Sequence, residues 1–246
     1  MHARLKVTTV LDATDITQAR APAEFVTWME HKINELSSTE EAKAFVRSGA
    51  PLAKKFYDEL FPLYRFVPHE YGVRNDVLIQ PNLGNENFDA HVMVGNGPAR
   101  QDIFIEITYA KDGYDLSLRM EALAMQGVVP LAGPVAVSGP KGSSNRCVSA
   151  TLMAIDYHDT LKNHLCLVEE RLRGKSNKQY GNKHILVVAV DDSALYQESS
   201  WPRLTEMADS ILPELSLDFS RVVFVGIAGR LFKSFNKVAN GVWIGG

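Results

Sequence analysis

Residues 76–110 read DVLIQPNLGNENFDAHVMVGNGPARQDIFIEITYA, and this stretch decides the fold class. Within it, residues 76–80, 87–94 and 103–109 are rich in apolar and β-branched side chains, and segments containing Gly, Pro and Asn separate them. Apolar runs bounded by turn-forming residues predict three consecutive strands.

Outward from these strands, other segments have the spacing of strands and helices. A short strand is predicted at residues 7–11, a β region punctuated by Gly and Pro at 128–156, and buried strands at 185–190 and 222–227. Helical spacing covers residues 23–66, and a helix there runs from Leu52 to about Phe61 with Pro62 near its end. Further helices are predicted at 115–126, 161–172 and 201–212. We therefore expect a single α/β domain over residues 1–246 with a helical N-terminal portion.

The composition is that of an ordinary globular protein. The 246 residues include 26 Lys plus Arg and 29 Asp plus Glu, which gives a net charge of −3 and excludes a histone-like basic protein. Two cysteines, Cys147 and Cys166, exclude a disulfide scaffold and a Cys-rich zinc module. The sequence shows neither a signal-peptide core nor an apolar run of membrane length, so we expect a cytoplasmic protein with no membrane partner.

The second and third predicted strands each carry one carboxylate. If the hairpin closes symmetrically over Gly95 to Arg100, Asp89 lies directly opposite Glu106, and Ile105 and Ile107 take the other face. Like charges at opposed positions are destabilising, so the pair indicates a bound cation. Two carboxylates with room for water are what Mg²⁺ prefers, and Mn²⁺ is the other candidate. The alternative is that one carboxylate is solvated and the other pairs with an Arg.

The pattern Phe88-Asp89, a gap of 16 residues, and Glu106-Ile107-Thr108 resembles the core motif of the PD-(D/E)xK nucleases. The resemblance covers residues 51–126 and treats 127–246 as a C-terminal sheet and helix extension. It implies an α/β fold with a mixed central β-sheet flanked by helices around a restriction-endonuclease-like core. It also implies metal-dependent hydrolysis of phosphodiester bonds, with Asp89 and Glu106 as metal ligands and catalytic residues.

This sequence departs from the family pattern at Thr108, where the family has a lysine. That lysine orients the attacking water and stabilises charge on the phosphate, whereas a threonine hydroxyl holds a water but supplies no charge. Lys111, three residues further on, and Lys141, in a Gly/Ser loop, are the candidate replacements.

Glu59 is the acidic residue of the helix that begins near Pro51. On a helical wheel it lies close to Leu52 on the apolar face, whereas Asp58 points elsewhere. A carboxylate there needs a partner. The resemblance implies that this partner is the metal ion, whereas Lys55, four residues earlier, offers an ion pair instead. Glu70, in a predicted loop, is an alternative acid for the metal site.

Several cations are candidates for contact with phosphate. Arg119 follows Glu106 on the next helix and either binds a phosphate or pairs with Asp115 or Glu106. The basic tract, residues 171–183, has five cations and no acid, and a Gly/Ser loop precedes Arg146. The predicted nucleic-acid-binding residues are Arg119, Lys141, Arg146, Arg171, Arg173, Lys175 and Lys178.

The sequence thus favours a Mg²⁺-dependent (or Mn²⁺-dependent) nuclease acting on DNA. Asp89, Glu106, Thr108 and Lys111 are its candidate catalytic residues, and Glu59 joins the two strand carboxylates at the metal. The alternative is a catalytically inactive module of the same fold that binds nucleic acid or a protein partner, alone or as a homo-oligomer. A third possibility is a small-molecule enzyme with a metal at Asp191 and Asp192 after a buried strand, but these residues fit a simple turn better.

Overall fold

The computed structural model describes residues 11–130, 132–193, 200–239 and 241–246. Its α-helices are α1 (Ala13–Ile16), α2 (Pro22–Ser38), α3 (Glu40–Arg47), α4 (Pro51–Lys55), α5 (Phe61–Tyr71), α6 (Gly113–Gln126), α7 (Tyr157–Lys175) and α8 (Ser200–Ile211). Its strands are β1 (Val77–Pro81), β2 (Ala90–Val94), β3 (Gln101–Ala110), β4 (Val135–Ser138), β5 (Cys147–Ala150), β6 (His184–Val190), β7 (Arg221–Gly226), β8 (Phe232–Lys237) and β9 (Trp243–Gly245).

Seven strands form one central sheet in the order β1-β2-β3-β6-β7-β8-β9. The sheet is mixed, because β1, β2 and β3 form an antiparallel meander, β3, β6 and β7 are parallel, and β7, β8 and β9 are antiparallel. Strands β4 and β5 pair only with each other in a separate hairpin within the described ranges. The predicted α/β fold with a mixed central sheet flanked by helices is confirmed.

Helices bury opposite faces of the sheet in two cores. Phe25 of α2 and Leu63 of α5 pack with Ile105 and Ile107 of β3. On the other face, side chains of α7 and α8 pack on β6 and β7; they include Val168, Leu172, Leu204, Leu186, Val188 and Val222. Because side chains alternate along a strand, Glu106 points to the α7 side, opposite Ile105 and Ile107.

The helix predicted to end near Pro62 continues to Tyr71, so that boundary is wrong. Between α4 and α5 the chain forms one π-helical turn over Phe56–Leu60, and the Phe61 N–H donates to the carbonyl of Phe56. Pro62 directly follows this turn as the second residue of α5, and the helix continues beyond it. The apolar spacing could not show this, because a π turn changes the helical period.

Other boundaries differ less. Strand β2 begins at Ala90 instead of residue 87, and the C-terminal strands β8 and β9 were not predicted. Apart from Leu11, the strand predicted at 7–11 lies outside the described residues. Across the described ranges, no helix combines the length and apolar character that a membrane span requires.

Candidate carboxylate–lysine site

The β2–β3 register is the one that the sequence predicts. Ala90 pairs with Ile105, and His91 pairs with Phe104, as a symmetric hairpin requires. The ladder stops at Ala90, one residue short of the predicted pairing of Asp89 with Glu106. Strand β2 ends there, whereas β3 continues to Ala110 beside β6. The strands therefore separate at the level of the two carboxylates, and we call this point the fork.

Asp89 closes the end of the β2–β3 ladder. Its N–H donates to the carbonyl of Ile105 at 2.7 Å, and its Oδ2 accepts the N–H of Ile107 at 2.8 Å. Its Oδ1 lies 3.7 Å from the Nζ of Lys55. The carboxylate of Asp89 thus replaces the strand partner that Ile107 lacks, and it connects β3 to the helix of Lys55.

Glu59 reaches the fork from the π-helical turn. Its carboxylate forms an ion pair with Lys55, so one ammonium group contacts both Glu59 and Asp89. The ion pair between Glu59 and Lys55 that the sequence offered is present. Burial, and next the negative charge of Asp89, raise the pKa of Glu59 to about 7 although Lys55 opposes the shift. Near neutral pH, this carboxyl group is a ready donor or acceptor of a proton.

Glu106 forms an ion pair with Lys175, the last residue of α7. The hydroxyl of Tyr180 donates to the same carboxylate oxygen at 3.5 Å. Burial raises the pKa of Glu106, and the charge of Asp89 adds to the rise while Lys175 counteracts it. Burial and the neighbouring Glu106 raise the pKa of Tyr180 to about 12, so the phenol keeps its proton. The side chains of Glu106 and Lys175 are only 12% and 17% exposed, which makes this pair the most enclosed part of the site.

The two proposed substitutes for the family lysine lie elsewhere. Lys111 forms an ion pair with Asp58, and its ammonium lies 4.7 Å from the ring centre of Tyr109. Lys141 is exposed on the loop between β4 and β5. Thr108 is on the Glu106 face of β3, beside Val188 of β6. The structure instead brings Lys175 to Glu106, and the sequence had placed Lys175 in a surface tract.

Asp58 was expected to point away from the apolar face, yet its side chain is 13% exposed and contacts both Lys54 and Lys111. From the π turn, Asp58 thus contacts Lys111 just after β3, and Glu59 contacts Lys55. A π turn inside a helix often marks a functional site, and it is a signal that apolar spacing does not carry.

Arg119 and Arg146 are occupied by contacts within the protein. Arg119 pairs with Asp115 at 2.6 Å and donates to the carbonyls of Pro130 and Gly133. Arg146 forms two hydrogen bonds with Glu121, at 2.6 and 2.9 Å. Both side chains are only 12% exposed. The contact between Arg119 and Asp115 is the structural alternative from the sequence, and the phosphate role of both arginines stays a prediction.

The basic tract is not one exposed surface. Arg171 donates to the carbonyls of Tyr109 and Lys111 at the end of β3, and Lys175 contacts Glu106. Arg173 pairs with Glu169 in solvent, and Lys178 is exposed. Replacing Arg171 or Lys175 would therefore also disturb the fold, since both contact β3 or the residue that follows it.

The aspartates after β6 form a turn, as the sequence favoured. Asp192 is fully buried, and its carboxylate accepts the N–H groups of Ala228, Arg230 and Leu231. Asp191 accepts the N–H of Ser193. The bonds of Asp192 hold the turn between β7 and β8.

No protein-family model, curated protein or solved structure matches the chain. Within residues 11–130, 132–193, 200–239 and 241–246, no three or more His, Cys, Asp or Glu side chains are grouped as a metal site would require. The interpretation of the fork therefore depends on its own geometry and charge.

We expect Glu59→Gln to stabilise the protein increasingly as the pH rises from about 4.5 to 7. The pKa of Glu59 in the folded protein is about 7, against an ordinary 4.5. Below the ordinary value both states hold the proton, and between the two values the unfolded state ionises first. The wild type thus loses up to about 3 kcal/mol across this window, at about 1.4 kcal/mol per unit, and the amide variant does not.

Urea unfolding of both proteins at several pH values measures the difference. Glu41→Gln, at an exposed site on α3, is the control and should show no such trend. The raised pKa of Glu59 would be contradicted if the free energies of unfolding of Glu59→Gln and the wild type differ by the same amount at pH 4.5 and at pH 8.

Proposed function

We propose that this chain is a divalent-metal-dependent phosphodiesterase that cleaves nucleic acid, with DNA as its substrate. The observation that carries the proposal is that Asp89, where β2 and β3 separate, lies close enough to act electrostatically on both Glu59 and Glu106. Two of these carboxyl groups have a raised pKa, and the charge of Asp89 contributes to both shifts. Perturbed acids that converge at one place are a signature of chemistry.

The order of elements supports the same proposal. A helix with Glu59 precedes an antiparallel meander of β1, β2 and β3, then come α6 and α7, and β6 returns parallel to β3. The resemblance implies an acidic helix, three strands with Asp and Glu on the second and third, and a following helix. The restriction-endonuclease-like core over residues 51–126 remains part of the proposal.

The donor set fits a hard divalent cation such as Mg²⁺ or Mn²⁺. Such ions prefer carboxylate oxygens and water, and Asp89, Glu106 and Glu59 offer carboxylates alone. The raised pKa values of Glu59 and Glu106 indicate that Lys55 and Lys175 do not fully offset burial and repulsion. An ion would compete with these two ammonium groups, and when bound it would polarise the phosphate and lower the pKa of a water molecule.

Lys175 supplies the positive charge that Thr108 does not. Its ammonium contacts Glu106, on the face of β3 that also carries Thr108. A cation held there is positioned to stabilise charge on a phosphate bound at the fork. Glu59, with a pKa of about 7, exchanges a proton near neutral pH, and the Tyr180 hydroxyl orients Glu106. In this proposal Lys175 replaces Lys111 and Lys141 as the catalytic lysine.

The second candidate is an inactive module that binds nucleic acid or a protein. One observation favours it: each fork carboxylate contacts a lysine ammonium group, which compensates its charge from within the chain. Such an arrangement is also what a structural network would show, since buried carboxylates need compensating charge.

Cleavage of labelled oligonucleotides separates the two candidates. We expect single-stranded or duplex DNA to be cut in millimolar Mg²⁺ or Mn²⁺ and to remain intact in EDTA, with RNA of the same sequence as a comparison. Binding without cleavage in either ion would overturn the proposed enzyme and favour the inactive module.

A further inference from the structure

A row of aromatic and imidazole rings crosses one face of the sheet beside the fork. Phe104 of β3 is its centre, with ring centres 4.8 Å from Phe88, 5.1 Å from His91 and 5.0 Å from His184. The rings of His91 and Phe104 are nearly parallel, with an interplanar angle of 18°. We call Phe88, His91, Phe104 and His184 the ring row.

The register explains why these side chains meet. His91, Phe104 and His184 are direct neighbours across β2, β3 and β6, so they project from the same face. That is also the face of Glu106, which lies two residues after Phe104, about 7 Å along the strand. The ring row therefore lies next to the fork, on the side of the sheet that α7 approaches.

This part of the face is accessible. Helix α7 ends at Lys175, which contacts Glu106, so α7 stops before it reaches Phe104. Phe88, His91 and Phe104 are half-buried instead of buried. On the same face of β1, Leu78 lies opposite Met93 and is 42% exposed. In the part of the chain that the structure describes, Phe88, His91 and Phe104 are thus the accessible part of the ring row, whereas His184 is 7% exposed and lies beside the ring of Tyr180.

Cations lie at the margin of the ring row. The N–H of Phe104 donates to the carbonyl of Lys183 at 2.9 Å, and the Lys183 side chain is exposed. Lys178 is also exposed, and its charge acts on Glu106. Burial lowers the pKa of His184, which keeps its ring neutral and favours stacking over charge pairing.

We propose that the ring row binds unpaired bases of a single-stranded nucleic acid, with Lys178 and Lys183 contacting its phosphates. Flat rings exposed beside cations are the combination by which sheets bind single strands, because every base has a face to stack. A base stacked on Phe104 would leave an adjacent phosphate near Glu106. This inference specifies single-stranded nucleic acid as the substrate class of the proposed enzyme. It rests on the proposed function only where it places a phosphate of the ligand near Glu106.

Binding is measured in EDTA, so that cleavage plays no part. The probe is a fluorescent oligothymidine, and anisotropy reports its affinity for the full chain. We expect Phe104→Leu and Phe88→Leu each to weaken binding by about 5- to 100-fold, the range for loss of one base–aromatic stack. Phe104→Trp should retain affinity, and Tyr114→Leu, at an exposed aromatic residue on α6, should have no effect.

Two further probes distinguish stacking from charge. An oligomer of abasic sites of equal length should bind the wild type weakly and the Phe104→Leu variant equally weakly. Lys178→Gln with Lys183→Gln should flatten the salt dependence, by about 0.7 in slope for each phosphate that a lysine no longer neutralises. Thermal unfolding of each variant verifies that it folds.

If Phe104→Leu and Phe88→Leu fold and bind oligothymidine as tightly as the wild type does, the ring row is not a binding surface for bases. A higher affinity for duplex DNA than for the single strand would also overturn the inference. Absence of any binding would overturn it too, and a protein would then be the remaining partner for this face of the sheet. Loss of cleavage alone, with stacking intact, would contradict the proposed enzyme and not this inference.

Discussion

Asp89→Asn and Glu106→Gln should each reduce the proposed metal-dependent cleavage of DNA by about 10²–10³-fold or more, the range for removing a charge-stabilising group from an active site. Both substitutions keep the shape of the side chain and remove its charge. In the wild type the carboxylate of Asp89 accepts the N–H of Ile107 at 2.8 Å. The amide oxygen of the Asp89→Asn variant can accept the same N–H, so the end of the ladder is preserved. Cleavage of a labelled oligonucleotide in Mn²⁺ measures the effect.

Asp115→Asn is not a suitable control for this experiment, because Asp115 pairs with Arg119. Glu41→Gln removes an exposed carboxylate and should leave cleavage unchanged. Cleavage by either fork variant at the wild-type rate would show that the activity comes from another site or from a contaminant.

The second large effect is on stability. We expect Lys175→Met to lower the free energy of unfolding by about 2–3 kcal/mol near pH 8, somewhat less than the loss for breaking a fully buried pair. The variant leaves the enclosed carboxylate of Glu106 without its ammonium partner. The pKa of Glu106, already raised by burial, should rise further. The loss should therefore shrink as the pH falls and Glu106 takes up a proton.

A matched control is available on the same helix. Arg173→Met removes a cation whose pair with Glu169 is about half exposed, and such pairs contribute about 0–1 kcal/mol. The double variant Lys175→Met with Glu106→Gln should recover part of the loss, because neither charge is then left unpaired. Urea unfolding at pH 8 and pH 4.5 measures all three. If Lys175→Met lowers the free energy of unfolding no more than Arg173→Met does, the ion pair of Lys175 with Glu106 is not enclosed as described.

Local information was enough to predict the pairing within the β2–β3 hairpin, although not that the ladder stops at Ala90. The β2–β3 hairpin closes over a short loop, so its symmetry gave the observed pairing of Ala90 with Ile105. Strand alternation then placed Glu106 opposite Ile105 and Ile107. The contact between Lys55 and Glu59 follows from helical spacing of four residues, and it was predictable as one of two alternatives.

Contacts that depend on tertiary packing were not predictable. Lys175 reaches Glu106 across 69 residues, because α7 runs back over β3 before the chain enters β6. From its neighbours alone, Lys175 is one of several surface cations. Asp58 was misplaced for a different reason, since a π turn changes the direction of each side chain after Phe56. The ring row needs the pairing of β3 with β6, which brings His184 beside Phe104.

The most direct test of the proposed function is the anomalous scattering of Mn²⁺ in crystals of the full chain. The proposal predicts an anomalous peak at the fork, about 2.0–2.3 Å from oxygens of both Asp89 and Glu106, as expected for a hard divalent ion. The Lys175 ammonium should then have moved away from Glu106. The proposed function would be contradicted if the fork shows no anomalous peak at saturating Mn²⁺. In that case Lys175 would still contact Glu106, and Lys55 would still lie between Glu59 and Asp89.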